Sequence, residues 1–294
     1  MEPNGQILQL NDGRKLGYIQ YGKKDGIPIF LFHGTPGSRI WFLDDDEVSN
    51  SLGIRLISID RPGYGLSDLK PNRTVLDWTD DVEELANHLQ IENFSVIGVS
   101  GGGAYAAACG YKIPQRINSI TMVSSVTPFK DGKPPKAMVK ENRIAFWLSK
   151  NAPWILKLSY KSMVKIMDKS PDKFKKDLKN GNKHLTDWDR QFLQTDEHLE
   201  ATFRHLREAY RNQVDEGATE PYLLSKYWGF DLKDIKVPVY LFHGEEDRMA
   251  PVEEIKKVSR IIPECQLHLI PDAGHFLTDD SKIWGRILRE VIIN

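Results

Sequence analysis

The chain has 294 residues, enough to bury a large core and to hold one sizeable domain with an insertion. Hydrophobic residues make up 40% and charged residues 28%, the balance of an ordinary soluble globular protein. A formal net charge of -1 argues against general nucleic-acid binding and against a polyacidic chain. The opening stretch, MEPNGQILQLNDGRK, has no basic region followed by an apolar core of signal-peptide length, and no apolar run approaches a membrane span. Together with only two cysteines, Cys109 and Cys265, these features predict a cytoplasmic protein. Neither cysteine has a neighbouring His or a glycine turn, so both read as small buried hydrophobes rather than nucleophiles.

Residues 6–10 and 15–21 predict two strands joined at Asn11-Asp12-Gly13, with Gly13 supplying the positive φ of a tight turn; the pair is an expected antiparallel edge of a larger sheet. Residues 27–32 are a short apolar run that ends in His33-Gly34-Thr35-Pro36-Gly37-Ser38, a buried strand entering a glycine-rich loop. Ser38 is a candidate cap for a following helix, and His33, ending a strand beside Gly, reads as structural. Residues 54–59 form another predicted buried strand. After it, Asp60-Arg61-Pro62-Gly63-Tyr64-Gly65-Leu66-Ser67-Asp68 is an irregular loop in which Asp60 and Arg61 are expected to bond backbone groups. Residues 74–89 predict an amphipathic helix with Val75, Trp78, Val82, Leu85 and Leu89 on one face.

Residues 94–111, FSVIGVSGGGAYAAACGY, run from β-branched and aromatic residues through Gly98-Val99-Ser100-Gly101-Gly102 into an Ala-rich segment: a strand, a sharp turn and a helix. A side chain at the apex of so tight a turn forces backbone against backbone. The positions two before and two after Ser100 must therefore be small, and both are Gly. The helix that follows points its N-terminal N–H groups and positive dipole end toward the Ser100 hydroxyl. This G-x-S-x-G stretch resembles the nucleophile elbow of the α/β-hydrolase family, and the loop at residues 60–68 is similar to one found in many of its members. The resemblance implies an α/β fold with a mostly parallel central sheet covered by helices on both faces. It also implies an oxyanion hole made by the backbone N–H groups of Thr35 and Gly101; Pro36 has no N–H to offer.

Residues 117–126 continue the strand–helix alternation that marks a parallel sheet. At Thr127 the composition changes: residues 127–185 hold fifteen Lys/Arg against five Asp/Glu, and the rest of the chain holds 25 against 36. The segment reads as wholly helical. Lys157, Lys161, Lys165 and Lys169 fall on one stripe, a predicted solvated face, while Leu156, Tyr160, Met163 and Met167 fall on another. Ser170-Pro171-Asp172 starts a helix and Gly181 stops it; a further helix is predicted over 196–214, and Tyr222-Leu223-Leu224 as the start of one more. The expected organisation is a core over 1–126, a helical cap over 127–230 and the rest of the core over 231–294. Phe146, Trp147, Trp154 and Ile155 are either the roof of an acyl or aromatic pocket or ordinary packing of cap on core.

The alternation resumes at residues 237–242, followed by His243-Gly244-Glu245-Glu246-Asp247, with Pro251 starting the next helix. On chemistry alone Glu245, Glu246 and Asp247 are rivals for orienting a catalytic imidazole; the resemblance selects Asp247, three residues after His-Gly. Residues 266–270 are the last predicted strand, and Pro271-Asp272-Ala273-Gly274-His275 follows, placing His275 on a glycine loop as the candidate general base. His268 reads as packing, and His88, His184, His198 and His205 carry no recognisable signal. Residues 276–292 predict a closing helix with Ile283, Trp284, Ile287, Leu288 and Val291 inward.

The order Ser100, Asp247, His275 is that of the α/β-hydrolases. The resemblance implies acyl transfer to water from a small or medium carboxylic ester, with Ser100 as nucleophile, His275 as base, Asp247 orienting it, and no metal or organic cofactor. Haloalkane dehalogenases and epoxide hydrolases carry Asp at the elbow, so Ser100 argues against both. Proline iminopeptidases share a loop similar to His33–Gly37, usually with Gly where Thr35 stands and commonly with Trp where Gly101 stands. An aminopeptidase would also need cap carboxylates for the substrate amine, for which Glu197, Glu200 and Glu208 are candidates. A lyase resembling the hydroxynitrile lyases, and a ligand-binding sensor whose basic cap meets a protein partner, are further readings; the sequence names no such partner.

Overall fold

The computed structural model describes residues 5–42, 46–181 and 185–293. Eight strands form one sheet: β1 (Gln6–Gln9), β2 (Lys15–Gly22), β3 (Ile27–Phe32), β4 (Ile54–Ile59), β5 (Phe94–Val99), β6 (Ile117–Val123), β7 (Val239–Gly244) and β8 (Cys265–Ile270). Their order is β1-β2-β4-β3-β5-β6-β7-β8. Both pairings of β2, with β1 and with β4, are antiparallel, and every other pairing is parallel. The expected hairpin edge is thus present, with Gly13 at φ 87°.

Successive residues of a strand face opposite sides of the sheet, so a strand covered on both sides must be apolar throughout. In β3, Phe30 and Phe32 enter one core and Ile29 and Leu31 the other. The first core takes the apolar faces of α2 (Trp78–His88), α3 (Gly102–Lys112) and α10 (Val252–Ser259); the second takes that of α11 (Ser281–Ile293), with Val48 and Leu52 of α1 (Asp46–Leu52) packed against it. In α11, Trp284, Ile287, Leu288 and Val291 are all buried, as the helical spacing predicts, each contributing about 1.5–3 kcal/mol by burial. Cys109 is buried and Cys265 partly so, and both are free thiols.

Between β6 and β7 the chain runs through six helices among its described residues: α4 (Lys140–Asn151), α5 (Pro153–Lys169), α6 (Pro171–Gly181), α7 (Asp187–Phe192), α8 (Asp196–Ala209) and α9 (Asp215–Ser225). On α5 Leu156 and Met167 are buried, Tyr160 and Met163 pack on the cluster of Tyr64, Ala209, Tyr210 and Val214, and Lys161, Lys165 and Lys169 face solvent, while Lys157 of the same stripe is half-buried and pairs with Asp215. Several boundaries differ from the sequence reading. Helix α2 begins at Trp78 because Thr74 and Asp77 close a turn on each other's backbone N–H groups. Helix α8 stops at Ala209, and Tyr222-Leu223-Leu224 ends a helix instead of starting one. Gly217 and Pro221 hide α9 from propensity. A Cβ on Gly217 would lie 2.5 Å from the Tyr210 hydroxyl, and the Ser149 hydroxyl of α4 takes the Tyr222 N–H at 2.9 Å. The last predicted helix is divided at Asp280, whose carboxylate accepts the N–H groups of Lys282 and Ile283 and so starts α11. Ser38 directly precedes the 3-10 turn Arg39–Phe42, and its hydroxyl lies 3.2 Å from Nδ1 of His205.

Trp284→Ala is expected to lower unfolding free energy by about 3–5 kcal/mol, and Ile293→Ala, at the exposed end of the same helix, by under about 0.5 kcal/mol. Urea denaturation of the two variants checks the contrast.

Candidate active site

Ser100 follows the last residue of β5 and has φ 52°, a left-handed conformation costing a non-glycine residue about 1–3 kcal/mol. Its N–H donates to Val123 O at 2.8 Å, and its carbonyl accepts from Gly103 N at 3.1 Å and Val126 N at 3.3 Å, so the surrounding backbone holds the strain. The flanking glycines are there for space. A Cβ on Gly98 would lie 2.4 Å from Gly102 O, and one on Gly102 would lie 2.2 Å from Phe32 O.

Asp247 stands on the loop after β7 and His275 on the loop after β8. Parallel pairing of β5, β6, β7 and β8 delivers both to the same sheet edge as Ser100. The His275 ring lies between them, Nε2 3.1 Å from Ser100 Oγ and Nδ1 2.8 Å from Asp247 Oδ2. The other Asp247 oxygen accepts the N–H groups of Met249 and Ala250, both at 2.8 Å. Glu245 and Glu246 are exposed, so packing decides among the three carboxylates. Burial raises the cost of charge on Asp247, but the His275 ring and these hydrogen bonds hold its carboxyl below the ordinary value. Burial likewise opposes charge on His275, yet the Asp247 carboxylate, helped by Asp189 and Asp279, lifts it above the ordinary imidazole value. His243, also buried, donates from Nε2 to Ala250 O at 2.7 Å; burial pushes its pKa down.

Thr35 and Gly101 face each other: a Cβ on Gly101 would meet the Thr35 hydroxyl at 2.2 Å. The Thr35 hydroxyl donates to Glu220 Oε2 at 2.7 Å and accepts from Arg61 Nη2 at 3.0 Å. Glu220, on α9, is fully buried, and also receives Arg61 Nε at 2.9 Å, Arg73 Nη2 at 3.0 Å, Tyr64 Oη at 2.9 Å and Tyr105 Oη at 2.7 Å. Burial disfavours its charge, but Arg61 and Arg73 outweigh that and hold it well below the carboxylate range. Arg61 bonds backbone as expected, donating to the carbonyls of His33 and Gly34, and Glu220 besides. His33 is structural: it is buried, and its Nε2 accepts the Arg61 N–H at 3.1 Å.

A cavity of about 260 Å³ opens over Ser100 and His275, walled by the loop at Gly34, Thr35 and Pro36 and by apolar side chains that include Leu178, Leu185, Phe192, Leu206 and Phe276. Phe146, Trp147, Trp154 and Ile155 do not line it. Phe146 packs on Phe129, while Trp147 and Trp154 are 58% and 62% exposed. Glu197, Glu200 and Glu208 do not line it either: Glu197 is exposed, Glu200 pairs with Lys175, and Glu208 pairs with Arg39 and Arg211. Among the described residues its wall holds one carboxylate, Asp279, which enclosure pushes up to about 6. His205 lines the wall and is pushed down to about 3 by burial, hence neutral. His184 lies outside the described residues. No group of three or more His, Cys, Asp or Glu among the described residues is placed to hold a metal ion.

The family model described as the alpha/beta hydrolase fold matches residues 27–282. The chain belongs to the α/β-hydrolase family. It is 27% identical over 273 residues to the AB hydrolase superfamily protein YisY of Bacillus subtilis, covering 88% of this chain and 89% of that one. It is also 24% identical over 260 residues to the 2-hydroxy-6-oxo-2,4-heptadienoate hydrolase of Pseudomonas putida, with coverage of 86% and 83%. Among solved structures, an esterase from Exiguobacterium antarcticum superposes with a TM-score of 0.70 at 19% identity over 99% of this chain and 100% of that one. That likeness is one of fold.

Three residues of this α/β-hydrolase site gave no functional signal in the sequence: Glu220, His205 and Asp189. The first two sit on helices and meet partners more than 100 positions away. Asp189 does fall in a Thr-x-x-Asp pattern with Thr186, a legible helix start; its carboxylate nonetheless bonds the backbone of the His275 loop.

Glu220→Ala leaves Arg61 and Arg73 short of their shared buried partner. It is expected to destabilise the fold by about 3–5 kcal/mol, read from urea denaturation.

Proposed function

We propose that the protein is a serine hydrolase acting on a small or medium carboxylic ester through an acyl-enzyme intermediate. The observation that carries this reading is the hydrogen-bonded series Ser100–His275–Asp247 opening into a mostly apolar cavity. Ser100 Oγ attacks the ester carbonyl carbon as His275 Nε2 takes its proton. Asp247 fixes the ring with Nδ1 protonated and balances the imidazolium. The oxyanion is received by the N–H groups of Thr35 and Gly101; one such donor is worth about 10²–10³ in rate. Collapse expels the alcohol, which leaves with the proton from His275. Water then attacks the acyl-enzyme by the same route in reverse and releases the acid.

The segment over 127–230 serves here as a cap that shapes the acyl pocket. The apolar wall favours an acyl chain. An aminopeptidase reading would ask for carboxylates around the substrate amine, and among the described residues of the wall Asp279, at about 6, offers that amine a single partly ionised group. The two free, largely buried cysteines suit the reducing cytoplasm proposed from composition, and no described helix is long and apolar enough to cross a membrane.

A panel of nitrophenyl esters of graded chain length, together with a proline arylamide, tests the proposal. Ester turnover in the wild type should fall by roughly five to six orders of magnitude in Ser100→Ala. Absence of ester turnover, or turnover that survives loss of Ser100, refutes it. Neutral His275 is the competent form and its pKa is raised, so kcat/KM should drop as pH falls through a value above the ordinary imidazole pKa. A limb centred well below that value would refute the assigned base.

A further inference from the structure

We propose that Asp189, on α7 of the segment between β6 and β7, is a positioning residue for the general base, fixing the backbone of the His275 loop while its charge supports the imidazolium. The proposal rests on the reading of His275 as that base. Asp189 is buried, and its Oδ1 accepts two consecutive backbone N–H groups, His275 at 2.7 Å and Phe276 at 2.9 Å. Its Oδ2 accepts the Thr186 hydroxyl at 2.8 Å. In a capping box the carboxylate three residues into a helix turns back to its own first residue's N–H. Here it spends one oxygen on a loop 86 and 87 positions away.

The loop is built to receive it. A Cβ on Gly274 would lie 2.3 Å from Asp189 Oδ2, so a side chain at that position would expel the carboxylate. On the opposite side Ala273 O accepts the Glu246 N–H at 2.9 Å, and Gly244 lets the Gly274 carbonyl approach. The ring of His275 is therefore aimed by Asp247 and its backbone is anchored by Asp189. Without Asp189 two buried N–H donors lose their acceptor, and the ring is free to leave Ser100.

The charged and titratable groups facing His275 are Asp247 from the β7 loop, Asp189 from α7, Asp279 from the 3-10 turn Leu277–Asp279, and His243 from β7. A purely mechanical anchor would leave the pKa of His275 unchanged when its charge alone is removed. A nearby carboxylate favours the protonated ring, so removing its charge must lower that pKa.

Asp189→Asn keeps an acceptor oxygen and removes the charge; Asp189→Ala removes both; Asp187→Asn removes an exposed charge from the same helix and serves as control. The His275 ring is titrated by NMR in each protein, and pH profiles of kcat/KM and the rate of phosphonylation of Ser100 by a fluorophosphonate are recorded. In Asp189→Asn the His275 pKa and the acidic limb should move down by about half a pH unit, with a smaller loss of kcat than in Asp189→Ala. Asp189→Ala should lose about 10–100-fold in kcat and in phosphonylation rate with KM within about twofold. The control should match the wild type. An unmoved His275 pKa in Asp189→Asn, or wild-type kcat in Asp189→Ala, overturns the proposal. If Asp189→Ala does not fold, the titration of Asp189→Asn alone decides. A wild type inert to ester and fluorophosphonate would instead sink the nucleophile assignment, while the NMR titration still decides whether Asp189 sets the ring.

Discussion

Taking the Glu220 carboxylate out of water is the constraint around which the site is arranged. A charge with no solvent must be met on every lone pair, and Glu220 is met by Arg61, Arg73, Tyr64, Tyr105 and Thr35. These come from the loop after β3, the loop after β4, the segment before α2, and α3, while Glu220 comes from α9. Arg61 also lies over the Tyr105 ring at 4.9 Å, so its guanidinium is fixed by stacking as well as by hydrogen bonds. The arrangement specifies one relation between the inserted helices and the strand-end loops. An apolar contact of equal area would tolerate sliding; a hub with six directed bonds does not.

Three further polar contacts repeat the pattern along the same boundary. Arg39 joins buried Asp60 to Glu208 of α8, Ser38 meets His205 of α8, and Asp189 of α7 holds the His275 loop. The inserted helices are thus tied by directional bonds both at the Thr35 loop and at the His275 loop, with the cavity between. Its position follows from topology. Parallel strands point their C-terminal ends to one edge, so the residues after β3, β5, β7 and β8 converge there, where ligands bind in open α/β sheets. The wall facing them is drawn largely from α6, α7 and α8, three of the helices between β6 and β7.

Where the sequence misplaced an element or left alternatives open, the cause was long-range. Helix α9 carries Gly217 and Pro221, which local propensity counts against a helix, and only the tight approach of Tyr210 and the bond from Ser149 account for them. The aromatics Trp147 and Trp154 have the composition of a pocket roof, yet α4 and α5 leave them largely exposed. Glu197, Glu200 and Glu208 have the right chemistry for binding an amine but lie away from the cavity, two of them spent on arginine or lysine partners.

The sequence by itself determined the fold family, the parallel sheet with its antiparallel edge, and the convergence at one sheet edge of the loops that carry Ser100, Asp247 and His275. It did so because each requirement is local: the elbow admits only small residues at 98 and 102, a doubly covered strand must be apolar on both faces, and loops at strand ends carry their own glycines. Only the tertiary structure decided that Asp247 rather than Glu245 or Glu246 is buried against His275, that Glu220 anchors the Thr35 loop, and that Asp189 reaches the His275 loop. A buried carboxylate is recognised by the donors around it. For Glu220, and for the backbone that Asp189 holds, those donors lie 86 to 185 positions away, where neither spacing nor periodicity leaves a trace.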